Sequence, residues 1–77
     1  KGQANLVELT LPDSSSCIGK TVEEITLPVD ASLAAIVRDG RVLTPTPTDV
    51  FVAGDELLFV ASAVAEGQLK ECFISTN

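Results

Sequence analysis

Two five-residue runs, Leu33–Val37 and Leu57–Ala61, contain only apolar residues and most strongly constrain how this chain can fold. A strand that is apolar on both faces belongs in the middle of a sheet, where both faces are covered. Neither run approaches the roughly 20 apolar residues that a membrane helix needs. We therefore expect both runs to be central strands, and we expect no direct insertion into a membrane.

Turn signals and alternating residues give the rest of the sheet. The first run lies in a strand predicted at Ser32–Arg38, and Asp39-Gly40 then supplies the two positive φ angles of a type I′ turn. An antiparallel partner strand is therefore predicted at Arg41–Thr44. The second run belongs to a strand at Glu56–Ala61, and alternating apolar residues predict a fourth strand at Asn5–Leu11.

Two helices are expected to pack on one face of this sheet. Thr21 and Glu24 match a capping box at the start of the first helix, and Pro28 ends that helix. Ser62 can cap the second helix, whose buried face has the i, i+4, i+7, i+8 spacing of Ala65, Leu69, Cys72 and Phe73. The order β-α-β-β-β-α predicts an α+β fold, with a four-stranded, mainly antiparallel sheet and two helices on one face.

The length and the cysteine content suggest one small domain of a longer protein. The 77 residues, 1–77, are expected to form a single domain, and the chain begins at Lys1 rather than at a methionine. A secreted domain of this size usually carries four or more cysteines, whereas this chain has only Cys17 and Cys72. We expect two reduced, partly buried thiols in a cytoplasmic protein. A bridge between them and a redox or metal role are the alternatives.

Charge and composition exclude several classes of function. Five Lys and Arg residues against eleven Asp and Glu residues give a net charge of −6, which is a poor match for nucleic-acid phosphates. The chain has no His, so the commonest general base and the commonest metal ligand are both missing. We therefore expect no enzyme activity and no nucleic-acid partner.

Two groups of charged residues could bind ligands. Arg38 and Arg41 are the only cationic pair close in sequence, and they could meet an anionic ligand or a partner's carboxylate. Asp49, Asp55 and Glu56 could bind a hard cation through their oxygens. A surface role for the arginines and a turn-forming role for the carboxylates are the simpler interpretations, so we predict no metal site.

The predicted sheet has more apolar surface than two helices on one face can cover. An exposed apolar face of this kind marks an interaction site. We expect a second copy of the chain to cover it, which makes the protein a homodimer.

Four sequence segments, taken together and in order, resemble the TrkA-C domain, which is the C-terminal subdomain of the regulator-of-potassium-conductance (RCK) family. The segments are Gly19–Ile25, Leu33–Gly40, Pro47–Val50 and Gly54–Val60. The resemblance covers roughly residues 5–73. It implies the same α+β fold as the pattern of strands and helices.

The resemblance implies a cytoplasmic regulatory module and not an enzyme. It would sense a ligand, dimerise and regulate a potassium channel or transporter subunit, which it would meet through the parent protein at the inner face of the cell membrane. The alternatives are a ligand-free scaffold and the TrkA-C domain of a cation/proton antiporter. An NAD-type nucleotide is expected only in a preceding Rossmann-type subdomain outside the chain, so this domain should hold no cofactor.

The resemblance also implies a ligand groove at the dimer interface, where some family members bind cyclic di-AMP. Mapped by position, the groove residues are Ile25, Thr26, Ser32, Leu33 and Pro47. Thr26 stands where the family has a phosphate-binding arginine, and a hydroxyl cannot replace a bidentate, charge-assisted contact. Arg38 and Arg41 are the candidates to compensate. An unknown small ligand and no ligand at all are the alternatives.

Overall fold

The computed structural model describes residues 3–74 and places them in a single four-stranded sheet with one α-helix. The ends of the predicted domain, residues 1–2 and 75–77, lie outside the described residues. The elements are β1 (Asn5–Thr10), β2 (Ala31–Arg38), β3 (Arg41–Leu43), β4 (Glu56–Ala61) and α1 (Ala63–Ile74). The strand order is β1-β4-β2-β3 and all neighbouring strands are antiparallel.

The two apolar runs form the central strands β2 and β4, as predicted. These strands pair from Ala31 opposite Ala61 to Val37 opposite Glu56, with an irregularity in register between Leu33 and Ala35. Leu57, Phe59 and Ile36 are buried on one face of these strands, whereas the apolar side chains on the other face remain partly exposed. The α+β fold class is confirmed.

The hairpin between β2 and β3 has the predicted turn. Asp39 and Gly40 have φ angles of 53° and 77°, and Arg38 pairs with Arg41 on either side of them. Strand β3 ends at Leu43, one residue earlier than predicted. It therefore pairs only with the second half of β2, from Ile36 to Arg38.

The prediction of two helices is inexact, because the first one is a single 3-10 turn at Val22–Glu24. The backbone amides of Val22 and Glu23 donate to the carbonyls of Asp49 and Pro47, at 2.9 Å and 3.0 Å. These are amides that a longer helix would also leave without an acceptor of its own, so the bonds anchor the turn to a distant loop. The turn ends where the backbone becomes extended at Ile25, with φ −97° and ψ 121°. Helix α1 is the one α-helix in residues 3–74.

Both predicted helix starts are nevertheless present. The capping box forms at Thr21, whose amide and hydroxyl donate to Glu24 Oε1 at 2.7 Å and 3.0 Å. Both hydrogen bonds lower the pKa of the Glu24 carboxyl, and the one from the amide has the larger effect. Ser62 Oγ accepts a hydrogen bond from the Ala65 amide at 3.2 Å and caps α1.

The core lies between α1 and the face of the sheet that it covers, which we call the inner face. Three phenylalanines connect its parts: Phe59 on β4, Phe73 on α1 and Phe51 in the loop before β4. Their ring centroids are 5.5 Å apart for Phe51 and Phe73, and 5.2 Å apart for Phe59 and Phe73. All three side chains are essentially inaccessible to solvent. This cluster fixes the loop and the helix against the sheet.

Candidate functional site

The opposite, outer face of the sheet carries a band of apolar side chains that no described element covers. Its side chains lie in three cross-strand rows, set by the register of the four strands. Leu6, Val42 and Val60 have exposed fractions of 73%, 75% and 39%. We call this band the outer-face patch, and it consists of Leu6, Ala35, Val37, Val42, Leu58 and Val60.

A shallow groove begins at the open edge of β2, beside the outer-face patch. Strand β3 pairs only from Ile36 onward, which leaves the edge of Ala31–Ala35 facing the loop that carries two prolines. The groove has a volume of about 360 Å³, within the range of small-molecule sites. We call it the β2-edge groove, and its lining is Val22, Glu23, Leu27, Ala31, Ser32, Leu33, Pro45, Thr46 and Pro47.

Three of the residues expected to bind a ligand meet in this groove. They are Ser32, Leu33 and Pro47, which come from β2 and from the loop after β3. Ser32 pairs with Val60 of the outer-face patch, so the groove and the patch are adjacent. Ile25 packs against the core instead. Thr26 lines a second groove, between the segment Thr26–Val29 and α1.

Arg38 makes a bidentate ion pair with Asp55 and is not part of the β2-edge groove. Its Nε and Nη2 atoms donate to the two carboxylate oxygens of Asp55, each at 2.8 Å, and Nη2 also donates to the Val50 carbonyl at 3.0 Å. The Val52 amide donates to Asp55 Oδ2 at 2.9 Å. The pair fixes the turn before β4 to the end of β2.

Burial and hydrogen bonding act in opposite directions on Asp55. The residue is 1% exposed, and this burial alone would raise the pKa of its carboxyl. The hydrogen bonds from Arg38 and from the Val52 amide outweigh it, so the pKa of Asp55 lies below its ordinary value. The hydrogen bond to Asp55 also raises the pKa of Arg38. Asp55 is therefore a buried carboxylate whose negative charge is paired with Arg38.

The groove itself has little positive charge. Glu23 is the one charged side chain in its lining, and Arg41 lies exposed across the hairpin turn from Arg38. A phosphate group in this groove would therefore meet neutral or apolar contacts and the carboxylate of Glu23.

The three carboxylates considered for a cation are used elsewhere or lie apart. Asp49 Oδ2 accepts a hydrogen bond from the Thr46 amide at 2.7 Å, as in a turn, and Asp55 is paired with Arg38. Glu56 lies exposed at the start of β4. Within residues 3–74, no group of three or more His, Cys, Asp or Glu residues is arranged to hold a metal ion.

A set of contacts that the sequence analysis missed lies at the C-terminal end of α1. Ser15 Oγ donates to the Phe73 carbonyl at 2.6 Å, and Cys17 Sγ donates to the Cys72 carbonyl at 3.3 Å. Carbonyls in the last turn of a helix have no intrahelical donor. The turn after β1 therefore caps a helix more than 50 residues away, and no local pattern signals such a contact.

Comparison with known proteins gives a consistent family assignment. The TrkA-C domain model matches residues 6–73. The Trk system potassium uptake protein TrkA of Mycobacterium tuberculosis, in strains CDC 1551 and H37Rv, is 48% identical over 73 residues. That match covers 95% of this chain and 33% of the relative, so the chain spans about a third of the relative's length.

The helices within residues 3–74 are all too short or too polar to span a membrane.

Two solved structures share the fold. The RCK_C domain dimer of S. agalactiae BusR in complex with c-di-AMP has a TM-score of 0.78 and 25% identity, covering 90% of this chain and 95% of that one. S. agalactiae BusR in complex with its busA-promotor DNA has a TM-score of 0.79 and 24% identity. The second match covers 92% of this chain but 37% of that one, and it shows the fold alone.

Proposed function

The chain belongs to the TrkA-C domain family, and from this premise we propose that it is the dimerising, ligand-sensing domain of a potassium uptake regulator. The observation that carries the proposal is the outer-face patch, with the β2-edge groove beside it. The role is regulatory rather than catalytic. The parent protein would be cytoplasmic and would act on a potassium channel or transporter subunit at the inner face of the membrane.

The outer-face patch supports pairing with a second copy of the chain. A two-fold interface uses the same patch on both subunits, so each copy covers the other. Stable interfaces bury about 800 Å² per partner, with an apolar centre and a polar rim. Here Glu8 on the edge strand β1 and Glu56 at the start of β4 border the apolar side chains on the same face, opposite Leu58 and Val37 in the strand register. The related BusR domain is described as a dimer.

The position of the β2-edge groove suggests how a ligand would act. Ser32 belongs both to the groove and to the cross-strand row that contains Val60. A ligand in the groove would therefore lie beside the subunit boundary and could contact both copies. It can shift the dimer between two arrangements only by the difference in its affinity for them. The regulatory signal is this coupling free energy.

Cyclic di-AMP is the first ligand to test, because the related BusR domain is described in complex with it. The groove residues proposed to contact a ligand are Ser32, Leu33 and Pro47, with Ile25 and Thr26 in the adjoining segment. Of the two arginines considered to compensate for Thr26, Arg38 is already engaged by Asp55. Exposed Arg41 is the remaining candidate.

A ligand-free scaffold is the second candidate function. It is favoured by the acidic groove lining and by the commitment of Arg38 to a structural ion pair. In that case the domain would only hold an assembly together. A TrkA-C domain attached to a cation/proton antiporter would use the same surface. Any NAD-type nucleotide would bind a preceding subdomain, and the net charge of −6 disfavours direct binding of DNA by this segment.

The dimer interface is tested by replacing Val60 with glutamate. A carboxylate at this position would be buried without a partner in the dimer, and such groups cost about 1–3 kcal/mol or more. We expect the dissociation constant of the dimer, measured by analytical ultracentrifugation, to rise roughly 100-fold. Val64→Glu is the matched control, because Val64 is 76% exposed on α1, away from the patch. Equal effects of the two variants would contradict the proposed interface.

Ligand sensing is tested by the thermal stability of the domain in the presence of cyclic di-AMP. A ligand at 100 times its dissociation constant adds about 2.7 kcal/mol to the stability of the folded state. We expect a rise in Tm that is lost when Pro47, an exposed residue of the groove lining, is replaced by glutamate. Linear di-adenosine nucleotide serves as the control ligand. If cyclic di-AMP leaves Tm unchanged while the chain is dimeric, the scaffold role is favoured.

A further inference from the structure

Cys17 and Cys72, 55 residues apart in sequence, are brought together where the turn after β1 meets the end of α1. Cys17 Sγ lies 3.3 Å from the Cys72 carbonyl oxygen and donates a hydrogen bond to it. Next to this contact, Ser15 Oγ donates to the Phe73 carbonyl at 2.6 Å and accepts from the Cys17 amide at 3.2 Å. The two cysteines are therefore held by several hydrogen bonds and do not meet by chance on a loose loop.

The two thiols differ in their access to solvent. Both are reduced, and Cys17 is only 3% exposed. Cys72 is half-buried and lines the groove between the Thr26–Val29 segment and α1. Burial raises the pKa of the Cys72 thiol, and Cys17 raises it further through charge interaction and a hydrogen bond, so the reactive thiolate forms more readily as the pH rises. Cys72 thus lines an open groove, and Cys17 is buried against the backbone carbonyl of Cys72.

We propose that Cys17 and Cys72 form a dithiol site that a hydroperoxide oxidises to an intramolecular disulfide. In the first step the Cys72 sulfur attacks the peroxide. The O–O bond breaks, an S–O bond forms, and the leaving oxygen takes the proton of the Cys72 thiol, which gives a sulfenic acid and water or an alcohol. In the second step the Cys17 sulfur attacks the Cys72 sulfur. An S–S bond forms, the S–O bond breaks, and water leaves with the proton of Cys17.

The reaction balances with the peroxide as the sole oxidant. The two thiols lose two electrons and two protons, and the peroxide is reduced to two molecules of water, or to one water and one alcohol. The bridge would replace the hydrogen bond from Cys17 to the Cys72 carbonyl by a covalent link. It would therefore lock the turn after β1 onto the last turn of α1, on the side of the domain where Thr26 lies.

The test uses the 77-residue chain, reduced and then exposed to hydrogen peroxide. Intact mass spectrometry should show the loss of two hydrogen atoms. Trypsin cleaves after Lys20 and Lys70, so the bridge should link the peptides of residues 2–20 and 71–77 until a reductant is added. Cys17→Ser and Cys72→Ser, each confirmed to be folded by circular dichroism, should both abolish the linked species.

A second measurement tests whether the native fold positions the two sulfurs for disulfide formation. The equilibrium between the dithiol and glutathione disulfide is compared in buffer and in concentrated urea. Native structure that holds the sulfurs together should favour the disulfide at least about tenfold over the unfolded chain. Equal equilibrium constants would overturn the proposal. So would over-oxidised Cys72 beside reduced Cys17, or bridges found only between chains.

Discussion

Replacing Arg38 with methionine should destabilise the domain by about 3 kcal/mol. Methionine keeps much of the aliphatic stem but leaves the Asp55 carboxylate, which is 1% exposed, without its cation. Removal of one partner from a buried ion pair costs about 3–5 kcal/mol. The Arg38 side chain is 32% exposed, so water can partly replace it and the lower end of this range applies. The matched change Arg41→Met, at an exposed position, should cost less than about 0.5 kcal/mol.

The loss should depend on pH in a defined direction. The pKa of Asp55 is lower in the native state than in the unfolded state. The stability that its ionised form contributes is therefore present above the unfolded pKa, near 4, and is lost as the pH falls through the native pKa. In Arg38→Met the burial of Asp55 remains but the main opposing hydrogen bonds are gone, so the native pKa moves up. The difference in stability between wild type and variant should therefore be large at pH 7 and shrink toward pH 3.

Urea unfolding followed by far-ultraviolet circular dichroism is the suitable assay, because the chain has no Trp or Tyr to report by fluorescence. Asp55→Asn and the double variant complete a double-mutant cycle that isolates the coupling between the two side chains. A loss below about 1 kcal/mol for Arg38→Met, equal at both pH values, would refute the assignment of this pair as a buried stabilising contact.

Two further predictions concern the turn after β1 and the glycines. Ser15→Ala should lower the free energy of unfolding in urea by about 1–2 kcal/mol, because the Phe73 carbonyl loses its hydrogen-bond donor. Ser14→Ala, at an exposed position, should lower it little. Equal losses of stability would argue against this cap. Gly40→Ala should destabilise by about 1 kcal/mol, because a side chain is disfavoured at its φ of 77°. Gly67→Ala, at an exposed position of α1, should instead stabilise by up to about 1 kcal/mol. The same sign for both glycine changes would contradict the backbone argument.

Local signals were sufficient for most of the sheet. The hairpin at Asp39-Gly40 depends only on the φ preferences of two adjacent residues, and the central strands follow from their lack of polar side chains. The first helix was mispredicted because a capping box marks only where a helix can begin, and the backbone is already extended at Ile25. The segment between Thr21 and Pro28 is short, and short helices are marginal without packing along their length.

The candidate site was only partly predictable for the same reason. The excess apolar surface was visible in the sequence, but its extent depends on the register of four strands. Ser32, Leu33 and Pro47 line one groove, whereas Ile25 packs against the core and Thr26 lines another groove. The pairing of Arg38 with Asp55 requires β2 to lie beside β4, which no local pattern reveals. The contact between Cys17 and Cys72 is equally non-local.

The mass of the wild-type chain in solution tests the central claim most directly. Sedimentation equilibrium at micromolar concentration should give twice the monomer mass of 8.0 kDa if, as we propose, each copy covers the outer-face patch of the other. A single species at the monomer mass, persisting as the concentration is raised well above this range, would contradict the account.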